Sequence, residues 1–146
     1  MYVAALASAA VIDLRGIITT SSYGEEARQP PHSPVPNSVH IAERQALIEK
    51  ARRSGMRHLP DATAGPTVSL TSRRPASGRI EDTPPLGTDG SWLIVNEARQ
   101  ATPERPLVIV MGGQATAPVD AYLLDPTIAD KMVLAWLAGN KRMEGV

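Results

Sequence analysis

The chain of 146 residues contains no cysteine and no phenylalanine, and aromatic residues make up only 3% of it. Without cysteine there is no disulfide scaffold, no zinc–thiolate site and no thiol nucleophile. The shortage of aromatic rings argues against a stacking platform for single-stranded nucleic acid. Fifteen basic and fifteen acidic residues cancel. No whole-chain field therefore attracts nucleic acid or an anionic membrane, and neither is expected as a partner.

Long hydrophobic runs are also lacking. No apolar stretch approaches the roughly 18–20 residues that span a bilayer. The start of the chain, residues 3–12, is apolar, but no Lys or Arg precedes Arg15. It therefore lacks the basic region of a secretory signal peptide. We expect a start inside a helix–strand unit and a cytoplasmic protein.

The composition is that of a globular protein, with 42% hydrophobic and 21% charged residues. Such a balance and this length predict a single domain over residues 1–146 with a sizeable core. The 13 prolines and 11 glycines indicate extensive loops. We expect a Pro-rich loop at 29–37 and an irregular segment at 60–88, in which 67–70 is the one β-like run.

Elsewhere helical and strand-like patterns alternate. Helices are predicted over 2–10, 39–54, 89–101 and 118–124, and strands over 12–20, 106–111 and 132–137. This alternation is typical of an α/β protein with a mostly parallel sheet and helices on both faces. A continuous apolar run such as 106–111 is typical of a strand covered on both faces. Ligands of such sheets lie at the carboxyl ends of the strands, which indicates the loops 20–24, 112–117 and 138–141.

The helix over 89–101 has the clearest local signals. Asp89 or Ser91 is a suitable N-cap for it. Trp92, Val95 and Ala98, with Leu93 as an alternative, recur at helical spacing and predict the side that faces the core.

Residues able to carry chemistry are scattered along the chain. His32, His40 and His58 have no helical spacing that indicates a metal site, and are expected on the surface or in loops. Glu25 and Glu26 follow the first predicted strand, but adjacent side chains point in different directions, and a solvated loop is the favoured interpretation. No serine lies in a nucleophile elbow, and there is no P-loop.

Three aspartates follow Gly113. Asp120 lies on the predicted helix, Asp125 is expected to cap the segment after Pro126, and Asp130 is expected on the surface. None is assigned a catalytic role, so the sequence predicts no catalytic residue.

Residues 106–116, 119–126 and 128–139 resemble the central part of the inosine–uridine-type nucleoside hydrolases. That family has a strand ending in Gly-Pro-Leu-Thr-Asn, then a helix, a turn with Asp and Pro, and a strand ending in Gly-Gly. Leu14-Arg-Gly-Ile-Ile-Thr-Thr20 is similar to the family's Gly-Ile-Thr-Thr-Val strand, and 64–66 lies near its small-residue pocket loop.

The resemblance implies a nucleoside hydrolase-like α/β fold and cleavage of the N-glycosidic bond of ribonucleosides. It also implies a calcium ion held by aspartates, which makes a bound water easier to deprotonate. Thr116 aligns with a threonine whose backbone carbonyl binds that calcium. The family's Asp-x-Asp-x-x-x-Asp-Asp cluster would precede Val3. We therefore expect a truncated relative that lacks this cluster and the C-terminal half, and that is inactive or incomplete as an isolated chain.

Two other hypotheses remain open. One is a non-enzymatic binding or assembly module that forms a homo-oligomer through an open sheet edge. The other is a flavodoxin-like domain that binds a phosphate-bearing ligand at 112–117 and 20–24, where a helix start offers backbone N–H groups. Pro118 removes one of these donors.

Overall fold

The structure, a computed structural model, describes residues 2–20, 37–68 and 73–137. Within these ranges four helices alternate with four short strands: α1 Tyr2–Ser8, β1 Ile17–Thr19, α2 Asn37–Arg53, β2 Ala62–Ala64, α3 Asp89–Gln100, β3 Leu107–Met111, α4 Thr116–Leu124 and β4 Met132–Trp136. The same ranges include 3₁₀ helices at Ile80–Asp82 and Pro126–Lys131. The predicted α/β character is confirmed. Residues 29–36 of the predicted Pro-rich loop lie outside the described residues, and Asn37 is the first residue of α2.

The strands form two parallel pairs. Ile17 of β1 pairs with Ala62 of β2, and Leu107 of β3 pairs with Met132 of β4. Each pair is a separate two-stranded sheet among the described residues. One continuous parallel sheet with helices on both faces is therefore not seen. The second strand also differs from expectation: the β-like residues Thr67 and Val68 lie in a bend, and the smaller residues 62–64 form β2.

One hydrophobic core lies between the first two helices and one face of the β1–β2 sheet. Its buried residues are Ala7 of α1, Ile48 of α2 and Leu59. Ile17 and Ala62, which are partners across the sheet, pack against it. Helices α1 and α2 therefore share one face of this sheet.

A second core joins α3 and α4 to both sheets. Its buried residues are Ile94, Val95, Ala98, Ala117, Ala121 and Ile128. Ile18 of β1, Leu107 and Ile109 of β3, and Met132 of β4 pack against it. Because Ile17 and Ile18 are adjacent in a strand, their side chains point to opposite faces. Helix α3 therefore covers the face of β1 opposite to α1 and α2.

Helix α3 runs antiparallel to β1. A Cβ at Gly90, near the start of α3, would lie 2.6 Å from Ile18 and 2.9 Å from the carbonyl oxygen of Ala64. Further along the helix, Leu93 lies against Gly16, and Glu97 accepts a hydrogen bond from Arg15. The contacts move backwards along β1 as α3 proceeds, so α3 runs in the direction opposite to β1.

The prediction that 106–111 is covered on both faces is wrong. Leu107 and Ile109 pack against the core of α3 and α4, whereas Val108 and Val110 are 57% and 56% exposed. Both helices that cover β3 lie on the same face of it. Among the described residues nothing covers the other face.

The N-terminus of α3 also differs from the prediction. Thr88 is the N-cap, and its hydroxyl accepts a hydrogen bond from the backbone N–H of Ser91 at 3.3 Å. Asp89 and Ser91 lie inside the helix. Val95 and Ala98 are buried as predicted, but Trp92 is 41% exposed and Ile94 is buried instead. No helix in the described part of the chain is long and apolar enough to cross a membrane.

Candidate functional site

The loop between β3 and α4 stands at the carboxyl end of β3, where the sequence predicted a ligand site. Gly112 and Gly113 are exposed, and a Cβ at either position would contact nothing within 4 Å. The indole N–H of Trp136, the last residue of β4, donates to the carbonyl oxygen of Gly113 at 2.6 Å. This bond ties the ends of β3 and β4 together, while the backbone at the two glycines stays open to an approaching molecule.

The side chain of Gln114, in the same loop, carries a hydrogen-bond acceptor without a donor. Its side-chain oxygen, Oε1, is buried and has no hydrogen-bond partner among the described residues. A buried acceptor without a donor costs about 1–3 kcal/mol, and such groups in native proteins usually have a functional or structural reason. A hydroxyl or N–H group of a bound molecule would supply the missing donor.

Thr116, the residue that the resemblance assigns to calcium, is the first residue of α4 and is buried. It lies two residues after Gln114 in the chain, where the loop passes into α4.

The carboxylate of Asp120 has a structural role. It is fully buried, and its two oxygens accept hydrogen bonds from the backbone N–H groups of Leu86 and Gly87, the latter at 3.1 Å. These bonds hold the segment before α3 against α4. Because both carboxylate oxygens already accept backbone hydrogen bonds, Asp120 is a poor candidate for a general base.

Asp125 caps the 3₁₀ helix at Pro126–Lys131, as predicted. Its Oδ1 accepts hydrogen bonds from the backbone N–H and the hydroxyl of Thr127, and its Oδ2 accepts one from Arg99 at 2.8 Å. The bond from Thr127, and then that from Arg99, lower the pKa of Asp125 below its usual value. Asp130 is exposed, as expected.

Three of the remaining candidates, Glu25, Glu26 and His32, lie outside the described residues. His40 is half-buried on α2, with its Nδ1 3.8 Å from Glu43, and His58 is exposed with a φ of 57°.

The described residues contain no cluster of side chains that would hold a calcium ion. No three His, Asp or Glu side chains among them come close enough together to hold a metal ion. The two buried aspartates are occupied by backbone N–H groups and by Arg99 and Thr127. The one calcium contact that the resemblance assigns is the backbone carbonyl of Thr116, whereas calcium takes six to eight oxygen ligands. The predicted calcium therefore needs oxygen ligands from outside the described residues.

Comparisons with family models, with curated proteins and with solved structures find no match to this chain. The candidate site therefore depends on its own geometry. Sequence reasoning identified the loop 112–117 and Thr116 but missed Gln114. A glutamine after two glycines carries no signal of burial, because polar residues are common in loops.

Proposed function

We propose that this chain is a nucleoside hydrolase-like α/β protein that binds a ribonucleoside at the loop 112–117 and is catalytically incomplete as an isolated chain. In this proposal the two parallel pairs are halves of one parallel sheet, and the loop lies at the carboxyl ends of its strands, where ligands of open α/β sheets bind. A complete site would hydrolyse the N-glycosidic bond.

The observation that carries the proposal is the buried, unsatisfied Oε1 of Gln114. A ribose presents several hydroxyl groups, each of which donates one hydrogen bond. The glycines leave space for the ligand. Because Oε1 is buried, a sugar hydroxyl beside Gly112 and Gly113 would satisfy this acceptor after a rotation of the Gln114 side chain towards the loop surface.

In this proposal calcium would be bound by oxygen ligands that lie outside the described residues. A hard cation with carboxylate ligands would orient a water and make it easier to deprotonate. Since the described residues hold no such cluster, we expect the isolated chain to bind a nucleoside without cleaving it efficiently.

The test is a titration of the isotopically labelled chain with a purine nucleoside and with a pyrimidine nucleoside. Binding is monitored by amide NMR shifts, and cleavage is measured by an assay for free ribose. Each titration is repeated with calcium and with excess chelator. We expect shifts at 112–117 and little free ribose. Ribose release that the chelator stops would show a working enzyme. No shift at 112–117 at millimolar nucleoside would contradict the proposal, and a response to inorganic phosphate instead would favour a phosphate-binding domain.

A second candidate function is a non-enzymatic assembly module. It is favoured by the uncovered face of the β3–β4 sheet, where Val108, Val110 and Val133 are about half exposed. Apolar faces of this kind are typical of interaction sites. Sedimentation of the chain tests it: self-association that Val110→Lys abolishes would support this role. The control is Val11→Lys, at an exposed valine elsewhere in the chain.

A further inference from the structure

The segment between β2 and α3 contains an arginine-rich sequence. Residues 73–79 read Arg-Arg-Pro-Ala-Ser-Gly-Arg, and Ser77 is the serine of this chain that has an arginine, Arg74, three residues before it. Protein kinases select their substrates partly by the pattern of charges around the hydroxyl group. A kinase with an acidic substrate groove binds an arginine at this distance on the N-terminal side of the serine. The sequence around Ser77 therefore suits a kinase of this class.

Ser77 is exposed in a tight turn. The backbone N–H of Gly78 donates to the carbonyl oxygen of Pro75 at 3.0 Å, and Gly78 has a φ of 72°. Ser77 is the third residue of this turn, and its hydroxyl oxygen accepts a hydrogen bond from the backbone N–H of Arg79 at 3.3 Å. The turn therefore holds the hydroxyl at the surface, where a second protein can reach it.

The guanidinium group of Arg74 lies over the same turn. Its Nη2 is 4.0 Å from the position that a Cβ would occupy at Gly78, the residue after Ser77. A phosphate on Ser77 would carry a charge of about −1.5 to −2 at pH 7 and would present three acceptor oxygens. A guanidinium group binds such oxygens through two parallel hydrogen bonds. The arginine that a kinase would recognise is thus also placed to bind the product.

The segment around Ser77 can open without unfolding the rest of the protein. Every residue of 74–82 is exposed except Pro75, which is half-buried, and none of them belongs to either hydrophobic core. The first buried side chain after Ser77 is that of Thr83. Segments with few buried contacts open locally at low cost. A kinase, which holds its substrate in an extended conformation, can therefore bind residues 74–79 while both cores stay intact.

Ser54 is an internal comparison for this site. It is also exposed and also follows two arginines, Arg52 and Arg53. Both arginines lie in the last turn of α2, however, and Arg52 forms an ion pair with Asp61 at 2.8 Å. An extended conformation at Ser54 would require this turn of the helix to unwind and the ion pair to break. An exposed serine with arginines before it is therefore not sufficient, and the open segment distinguishes Ser77.

We propose that Ser77 is a phosphorylation site for an arginine-directed serine kinase, and that Arg74 both directs the kinase and binds the phosphate afterwards. In the transfer, Oγ of Ser77 attacks the γ-phosphorus of ATP and a new O–P bond forms. The bond from that phosphorus to the oxygen bridging to the β-phosphate breaks, and ADP leaves with the electron pair. The hydroxyl proton passes to the catalytic base of the kinase. This inference is independent of nucleoside binding.

The experiment incubates the full chain with ATP, Mg²⁺ and the catalytic subunit of the cyclic-AMP-dependent protein kinase, an arginine-directed enzyme. Incorporated phosphate is measured over time and located by mass spectrometry. We expect phosphate at Ser77, with incorporation lost in Ser77→Ala and retained in Ser54→Ala. Arg74→Gln should lower kcat/KM about tenfold, whereas Arg79→Gln, which removes the same charge after Ser77, should change it by less than about twofold. Circular dichroism checks that each variant is folded.

A second measurement tests the binding of the phosphate by Arg74. The wild type and Arg74→Gln are both phosphorylated by prolonged incubation, and the second pKa of the phosphoserine is followed by phosphorus NMR. A nearby guanidinium favours the dianion, so this pKa, ordinarily about 6, should be lower in the wild type than in Arg74→Gln. Equal values would contradict the pairing.

Three further results would overturn the proposal. One is the absence of phosphate at Ser77 in the folded chain. Another is incorporation at Ser54 equal to that at Ser77, which would show that the open segment does not select the site. The third is an equal loss of kcat/KM in Arg74→Gln and Arg79→Gln, which would show that general positive charge, and not the arginine before Ser77, attracts the kinase.

Discussion

The guanidinium Nε of Arg15 donates a hydrogen bond to the carboxylate of Glu97 at 2.7 Å, although the two residues are 82 apart in sequence. Arg15 precedes β1, and Glu97 lies towards the end of α3. Arg15 is half-exposed, so the pair orients the two elements more than it stabilises them. With the packing of Gly90 on Ile18, it aligns α3 antiparallel to β1.

Gly90→Ala tests this alignment. The new Cβ would lie 2.6 Å from Ile18 and 2.9 Å from the carbonyl oxygen of Ala64. Overpacking of this kind costs about 1–3 kcal/mol, so we expect a lower free energy of unfolding in urea. Gly113→Ala is the control, since a Cβ there contacts nothing within 4 Å. Equal stability of the two variants would show that α3 does not lie against β1 and β2 at this point.

Asp120→Asn tests the buried carboxylate. Asparagine keeps one acceptor oxygen but turns an amide N–H₂ towards a backbone N–H, so one of the donors at Leu86 and Gly87 loses its partner. An unsatisfied buried group costs about 1–3 kcal/mol, and we expect a loss of that size in thermal or urea unfolding. Asp130→Asn, at an exposed position, should change stability by less than about 0.5 kcal/mol. A similar loss of stability in both variants would refute the role of Asp120 in holding the segment before α3 against α4.

Acid unfolding reports on Asp61 and Asp125. Hydrogen bonds from Gln45 and then from Arg52 lower the pKa of Asp61, and those from Thr127 and Arg99 lower the pKa of Asp125. A carboxyl whose pKa is lowered on folding adds stability above its unfolded pKa, about 4, and this stability is lost as the pH falls through the lower folded pKa.

We therefore expect the melting temperature to fall below about pH 4. The fall should be shallower in Asp125→Asn and in Thr127→Val, which keeps the carboxyl but removes the hydroxyl that bonds to it. Parallel pH curves for the wild type and both variants, measured by circular dichroism, would contradict the role given to these bonds.

Gln114→Leu separates ligand binding from folding. It replaces a buried, unsatisfied amide with an apolar side chain of similar length, so we expect an unchanged or higher melting temperature. Nucleoside binding should weaken, because the acceptor for a hydroxyl donor is gone. Gln100→Leu, at an exposed position at the end of α3, is the matched control. A marked loss of stability in Gln114→Leu alone would show that the amide serves the fold.

Much of the alternation of helices and strands follows from local pattern. Residues 107–111 and 132–136 form strands because each is a continuous apolar run, and Asp125 caps a helix because Pro126 follows it. The two exposed valines of β3 could not be predicted, since a run that is apolar at every position does not reveal which faces are covered. Thr88 as the N-cap was missed because three polar residues compete within four positions.

The candidate site was predictable only in its location. A glycine pair after an apolar strand indicates the carboxyl end of the sheet, and the loop 112–117 lies there. The burial of the Gln114 acceptor depends on how its side chain packs in the folded chain, and a local sequence pattern does not reveal this. The separation of the two sheets is likewise a tertiary feature, because β1 and β3 are predicted as strands whether or not they pair.

Amide NMR of the labelled chain, titrated with purine and pyrimidine ribonucleosides, tests the central claim most directly. The account predicts saturable shifts at Gly112, Gly113 and Thr116, with weaker binding to Gln114→Leu and unchanged binding to Gln100→Leu. It would be contradicted by the absence of shifts in this loop at millimolar nucleoside, or by shifts that Gln114→Leu leaves unchanged.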